Sequence, residues 1–122
     1  MTIKIGINGM GRIGRMVVRT IFENEFKDIK IKHINNRSSS EVSSNLLKYD
    51  SVHGQFKQKI TFKKNSLTIG KHKISFSQET NIDDINWSKH GVDYVLECTG
   101  KFNSKDKLYT HLKNGAKKVI VS

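Results

Sequence analysis

Three glycines, Gly9, Gly11 and Gly14, constrain this chain more than any other feature. They separate two segments of different period. Ile3–Asn8 alternates Ile3, Ile5 and Ile7 with Lys4 and Gly6, the pattern of a strand rich in β-branched residues. From Arg12 to about Glu25 the spacing is helical, with Ile13, Val17 and Ile21 at i, i+4 and i+8 and Met16 beside them. G-x-G-x-x-G alone is a weak pattern, but here it follows a strand and opens a helix, the context of a dinucleotide-binding turn. Gly9 permits the tight turn, Gly11 lets backbone approach a pyrophosphate, and Gly14 lets the helix close on the strand. The N–H groups and dipole at the helix start near Arg12 would hold the phosphates. The alternative is a purely structural glycine turn.

The rest of the chain continues the alternation. Ile29–Asn35 reads as a second strand, with Ile29, Ile31 and His33 alternating with lysines before Ile34. Ser38-Ser39-Ser40-Glu41 has the spacing of a capping box, predicting a helix to about Tyr49 that buries Val42, Leu46 and Leu47. Gln58–Lys63, Leu67–Ile69 and Lys73–Ser77 read as a meander of short antiparallel strands. Asp93–Cys98 is a buried-type strand. Ser104 then caps a helix through about Asn114, with Leu108 and Leu112 on one face and Gly115 as its stop. Lys118–Ser122 is a further apolar strand. Together these predict an α/β fold, a Rossmann-type doubly wound, mainly parallel sheet with a small antiparallel insertion. An apolar strand in a parallel sheet normally runs on into a covering helix, so residues 1–122 read as one dinucleotide-binding domain cut from something longer.

Composition narrows the setting. A length of 122 residues suits one domain, and no run of 18 apolar residues offers a membrane span. The N-terminus lacks the parts of a signal peptide, and Cys98 is the only cysteine, so no internal disulfide can form. These features point to a reducing, cytoplasmic location. The net charge of +11 raises the question of a nucleic-acid partner. Four of the 22 basic residues are Arg and the other 18 are Lys, scattered from Lys4 to Lys118, which reads as a solvated surface rather than a phosphate-tracking stripe. A basic nucleic-acid-binding module is the rival of a different class, and no zinc-finger or RRM signature supports it. His33, His72, His90 and His111 show no metal-ligand spacing and are assigned surface or packing roles.

The blocks Ile5-Gly6-Ile7-Asn8-Gly9-Met10-Gly11-Arg12-Ile13-Gly14-Arg15, Leu46–Gly54, Val92–Phe102 and His111–Ser122 together resemble, in order and spacing, the opening of phosphorylating glyceraldehyde-3-phosphate dehydrogenases. The resemblance implies a cofactor half without a catalytic half. In that family a cysteine thiolate attacks the aldehyde, hydride passes to the nicotinamide, and phosphate resolves the thioester to an acyl phosphate. The family's nucleophile and its histidine partner lie downstream of the segment that residues 1–122 resemble, so no catalytic residue is assigned. Cys98 stands where the family usually has serine and reads as a small, mostly buried thiol. By the resemblance, Asn8, Gly9, Arg12 and Ile13 would contact the pyrophosphate region. Thr99, Gly100 and Phe102 would lie on the adenosine side, and Ser122 near the nicotinamide ribose. The segment from Lys48 to Gly54 resembles a loop that forms subunit contacts in the family's homotetramer, so His53 is read as structural. Erythrose-4-phosphate dehydrogenase remains an alternative within the superfamily, because the residues that choose the substrate lie downstream. A non-catalytic interaction domain is a further one.

One departure bears on cofactor choice. Most members of the family carry Asn-Asp after the second strand, where a NAD-binding domain places its ribose-binding carboxylate. Here the register gives Asn35-Asn36, Asn36 lying 22 residues beyond Gly14, followed by Arg37 and three serines. Asn36 can bond a ribose hydroxyl but does not repel a 2′-phosphate, and Arg37 offers a fork of donors suited to one. The sequence therefore leans toward NADP over NAD. The competing reading has Arg37 in solvent and the serines only capping the helix. Smaller departures are Met10, where the family usually has Phe, and Thr80-Asn81-Ile82, where Arg-Asp-Pro is common.

Overall fold

A computed structural model describes residues 2–24, 26–50, 54–101 and 104–122, with backbone alone at 50, 54 and 55. Phe102 and His53 lie outside the described residues. Among the described residues, nine strands and three helices follow in chain order: β1 (Ile3–Asn8), α1 (Arg12–Glu23), β2 (Ile29–Asn35), α2 (Ser40–Lys48), β3 (Tyr49–Asp50), β4 (Gly54–Gln55), β5 (Ile60–Lys63), β6 (Ser66–Ile69), β7 (His72–Ser77), β8 (Tyr94–Glu97), α3 (Lys105–Lys113) and β9 (Lys118–Val121). Two 3₁₀ turns, Ile82–Asp84 and Ser88–His90, precede β8.

The main sheet has the order β5-β6-β7-β2-β1-β8-β9, and β3 pairs with β4 in a separate ribbon. The five strands from β7 to β9 run parallel. Taken in order of appearance they stand 3-2-1-4-5, the doubly wound Rossmann order. β5 and β6 add an antiparallel edge. The expected meander is present, β5 and β7 both running antiparallel to β6; β7 also pairs in parallel with β2, so it closes the insertion and extends the main sheet.

The two faces of the sheet differ. On one, Ile5, Ile7, Ile34 and Phe76 pack with Val18 and Ile21 of α1 and Leu47 of α2 in the larger apolar core. The other carries a smaller core of Ile82, Ile85, Trp87, Val92, Val95 and Ala116. There the Trp87 ring lies so close to β1 that a Cβ on Gly6 would sit 2.5 Å from it. A bulge decides which side chains join this face. Ile5 pairs with Ile31, but Gly6 pairs with His33, which leaves Lys32 as the extra residue. His33 thus leaves the face of Ile31, where simple alternation puts it, and sits 5.6 Å from the Trp87 ring.

Other local expectations are corrected. The cap of α2 is Ser39, whose hydroxyl accepts from the Val42 N–H, one residue later than the Ser38 register. Its buried face is Ser40, Ser43, Ser44 and Leu47, whereas Val42 and Leu46 are exposed. The small hydroxyl residues let α2 approach the sheet closely, and Ser40 and Ser44 satisfy their hydroxyls on backbone carbonyls of Lys63 and Glu41. α1 ends at Glu23, and Gly14, Val18, Arg19 and Ile21 form its buried side, leaving Ile13 and Met16 exposed. Arg19 crosses to α2, donating from Nε to the Leu47 carbonyl at 3.2 Å beneath the Phe56 ring. On α3 the buried residue is His111, with Leu108 half-buried and Leu112 exposed. Among the described residues no helix is long and apolar enough to cross a membrane.

Candidate functional site

β1 lies where the chain first winds one way, to β2, and later the other, to β8. Ligands of open α/β sheets settle in the crevice at such a switch point, beyond the carboxyl ends of the strands. Four segments meet there: the glycine loop after β1, Asn36-Arg37 after β2, Cys98–Lys101 after β8, and Ser122 after β9. Backbone bonds hold them in register, from Gly9 N–H to the Asn35 carbonyl at 2.8 Å, Cys98 N–H to Asn8 at 2.8 Å and Ser122 N–H to Glu97 at 3.1 Å.

The three loop glycines have different reasons to be glycine. Gly9 has φ +102°, and a Cβ there would lie 2.8 Å from Thr99 Cγ2, so both its conformation and its neighbour demand it. A Cβ on Gly14 would collide with the Gly9 carbonyl, so this glycine lets α1 close on the loop. Gly11 has φ −73°, which any residue adopts, and nothing lies within 4 Å of where its Cβ would be. Glycine suits the N-cap of α1, but neither backbone conformation nor packing requires it there.

The start of α1 is also exceptional. α2 and α3 are both capped by serine hydroxyls and carry Glu41 and Asp106 in their first turns. At Gly11 there is no side-chain cap and no acidic residue follows in the first turn, so the positive end of the dipole faces the crevice. Arg12 and Ile13 stand exposed beside it. Arg15 turns back, its Nη1 donating to the Met10 carbonyl at 3.1 Å.

Beneath the crevice runs a polar row across four adjacent strands. Ser77 donates to Asn35 Oδ1 at 2.6 Å, Asn35 Nδ2 to Asn8 Oδ1 at 2.9 Å, and Asn8 Nδ2 to Glu97 Oε1 at 2.7 Å. Asn8, Asn35 and Glu97 are all buried. Thus Asn8 lies at the root of the loop with both ends of its amide engaged. Burial works against ionisation of Glu97, but hydrogen bonds from His111, Thr99 and Asn8 outweigh it and hold the carboxyl below the usual carboxylate range.

Asn36 is similarly occupied. Its Oδ1 accepts from the Met10 N–H at 3.1 Å and its Nδ2 donates to Ser43 Oγ at 3.0 Å, pinning the glycine loop to α2. Arg37 is exposed, and its carbonyl accepts from Gln78 Nε2 at 3.3 Å. Thr99 folds onto Glu97 through N–H and hydroxyl, and Gly100 is exposed with φ +74°. Cys98 is half-buried; burial and the neighbouring Glu97 charge raise its thiol pKa, opposed by a hydrogen bond to Ser122. That is the reverse of an activated thiolate.

The sequence-predicted site residues that the structure describes therefore lie at or next to the carboxyl ends of β1, β2, β8 and β9, with Asn8 and Gly14 buried under the loop. Sequence reasoning missed Glu97 and His111 as a pair. A cavity of about 800 Å³ between Phe22, Phe26, Ile69 and the start of β2 opens at the opposite end of the sheet and contains none of the predicted residues. No cluster of three or more metal-type side chains occurs among the described residues.

Residues 3–105 match the family described as glyceraldehyde 3-phosphate dehydrogenase, NAD binding domain. The glyceraldehyde-3-phosphate dehydrogenase of Ajellomyces capsulatus is 45% identical over 123 residues, covering 100% of this chain and 36% of the relative. That of Cereibacter sphaeroides is 43% identical over 122 residues, again covering 100% and 36%. For Thermotoga maritima the identity is 41% over 119 residues, covering 98% and 36%. The chain thus spans little more than a third of the length of these relatives. With the strand order, the glycine loop and the open end of α1 already in place, this match means that the chain belongs to the glyceraldehyde-3-phosphate dehydrogenase family, as its NAD-binding domain.

Proposed function

We propose that this chain is the cofactor-binding part of a longer, phosphorylating aldehyde oxidoreductase, and that the crevice above β1, β2 and β8 holds a nicotinamide dinucleotide. The observation that carries the reading is Gly11. Its glycine identity is unexplained by backbone conformation or packing, and it stands at the uncapped start of α1. A pyrophosphate approaching the N–H groups there needs that empty space. Gly9, Arg12, Ile13 and Gly14 surround the same point, with Asn8 holding the loop from below. Thr99, Gly100 and Phe102 take the adenosine side, and Ser122 the nicotinamide ribose. When bound, the dinucleotide supplies the hydride acceptor. The residues of this chain bind and orient it, and the nucleophilic cysteine and its histidine belong to the remainder of the longer protein. Glyceraldehyde 3-phosphate is the substrate named for the relatives and the one proposed for the whole protein, with erythrose 4-phosphate as the alternative within the superfamily. A cytoplasmic homotetramer is the assembly proposed with it.

A second reading concerns cofactor choice, and Arg37 favours it. β2 is followed by the amide of Asn36 where a carboxylate would repel a 2′-phosphate, and the exposed Arg37 follows at the start of the α2 turn. Because Asn36 is bonded to Met10 and Ser43, the discrimination falls to Arg37 and the missing charge. The proposal is that NADP is accepted beside NAD. Calorimetric titration with both, at one salt concentration, tests it. Acceptance predicts NADP affinity within about tenfold of NAD, or tighter, and Asn36→Asp weakening NADP selectively by about 1–2 kcal/mol. NAD binding with no measurable NADP binding, and no effect of the aspartate on that ratio, would sink the second reading and leave the first.

A further inference from the structure

We propose that Glu97 is a positioning residue of the cofactor site, a single buried carboxylate that locks the glycine loop and the Thr99 turn into one rigid body. The proposal rests on the cofactor reading of this crevice and deepens it.

The two carboxylate oxygens face different segments. Oε1 accepts from Asn8 Nδ2 at 2.7 Å and His111 Nε2 at 2.8 Å, whereas Oε2 accepts from Thr99 N–H at 3.0 Å and Thr99 Oγ1 at 2.6 Å. Asn8 is the residue before Gly9, and Thr99 lies against Gly9 itself. The loops therefore touch above the carboxylate and are tied together below it.

Every proton in this network has a forced direction. The backbone N–H of Glu79 can only donate, so it sets Asn35 Oδ1, which it meets at 2.9 Å. Asn35 Nδ2 then faces Asn8 Oδ1, and Asn8 Nδ2 faces Glu97. On the other side the Trp87 indole N–H donates to His111 Nδ1 at 2.9 Å. An indole N–H has no acceptor role, so Nδ1 carries a lone pair and the imidazole is neutral, with its proton on Nε2 toward Glu97. Thr99 Oγ1 accepts from the Lys101 N–H at 3.1 Å, so its own hydrogen goes to Glu97. Four donors converge on Glu97, which is 1% exposed. Only an acceptor-only group satisfies all four. Glutamine is the same size, but its NH₂ would face two donors.

The test is Glu97→Gln, followed by NAD affinity and by amide hydrogen exchange without any nucleotide. We expect at least tenfold weaker NAD binding. Exchange in residues 9–14 and 98–101 should accelerate together at least tenfold, while β6 and β7 stay within twofold of wild type. A merely structural role would instead raise exchange throughout the sheet. Thr99→Val withdraws one donor from Oε2 and leaves the Asn8–His111 side intact, so it should move the same two loops by a smaller factor, and it decides the matter should Glu97→Gln fail to fold. Loop exchange within twofold of wild type, or a uniform rise across all elements, would overturn the proposal. Since exchange is read on the free protein, a wild type that binds no NAD overturns the cofactor reading, while coupled loop exchange would still support the lock.

Discussion

The two faces of the parallel sheet are built on opposite principles. Toward α1 and α2 the inward residues are Ile5, Ile7, Ile34 and Phe76, and the face is held by non-directional burial. Toward Trp87 and α3 the same three strands, joined by β8, present Gly6, Asn8, His33, Asn35, Ser75, Ser77 and Glu97 beside the smaller apolar core. There His33 bonds Ser75 at 2.6 Å and Ser77 at 2.8 Å, and the row runs on through Asn35 and Asn8 to Glu97. The first face needs approximate volume; the second needs each donor matched to an acceptor, because an unmatched buried polar group costs about 1–3 kcal/mol. The difference bears on where the proposed site lies. The loops proposed to hold the cofactor are rooted in the polar face, where geometry is set by directed bonds.

The sharpest way to break the comparison is to truncate one side chain on each face and read the urea unfolding midpoint. Trp87→Ala removes a fully buried indole and strips His111 of its donor, so we expect a loss of about 3–5 kcal/mol. Ile7→Val, equally buried in the apolar face, should cost about 0.5–1.5 kcal/mol. A loss in Trp87→Ala no larger than that in Ile7→Val would mean that neither the buried indole nor its bond to His111 supports this face.

Acid separates them next. His33 stacks on His90 with ring centroids 3.9 Å apart, and burial together with that neighbour lowers its pKa from 6.5 to about 3. His90 is lowered too, by burial and then by Lys89. Because the folded value lies below the unfolded one, the native state binds fewer protons. This stability is complete above about pH 6.5 and is lost as pH falls toward 3, at up to about 1.4 kcal/mol per pH unit for one group. Glu97 adds its own loss only below the ordinary carboxylate value of 4.5. Unfolding midpoints between pH 6.5 and 4.5 should therefore fall in wild type and flatten in His33→Asn. An identical slope in both would refute the assignment to His33.

Much of this was legible in the sequence, for reasons that differ along the chain. The glycine loop, the βα alternation and the parallel order rest on local period and turn chemistry, which one segment carries by itself. The polar face was not legible. Asn35, Ser75, Ser77 and Glu97 carry no apolar signal, and alternation places His33 on the face of Ile31 until the bulge at Lys32 carries it to the Trp87 face. On α2, hydroxyl residues replaced Val42 and Leu46 on the buried side because the helix sits close to the sheet, a distance no local pattern encodes. His111 offered no apolar signal, and its role emerges only with Trp87 and Glu97 in place.

The central claim is that the crevice at the end of β1 binds a dinucleotide through backbone left bare at Gly11. Titration of wild type and Gly11→Val with NAD, each checked by its unfolding midpoint, tests it directly. A side chain there meets nothing within 4 Å at its Cβ and has an ordinary φ of −73°, so the cost is that of valine for glycine at an N-cap, about 1 kcal/mol or less. The account predicts saturable one-to-one binding by wild type and at least a tenfold loss in the folded valine variant. Undiminished NAD binding by Gly11→Val would contradict it.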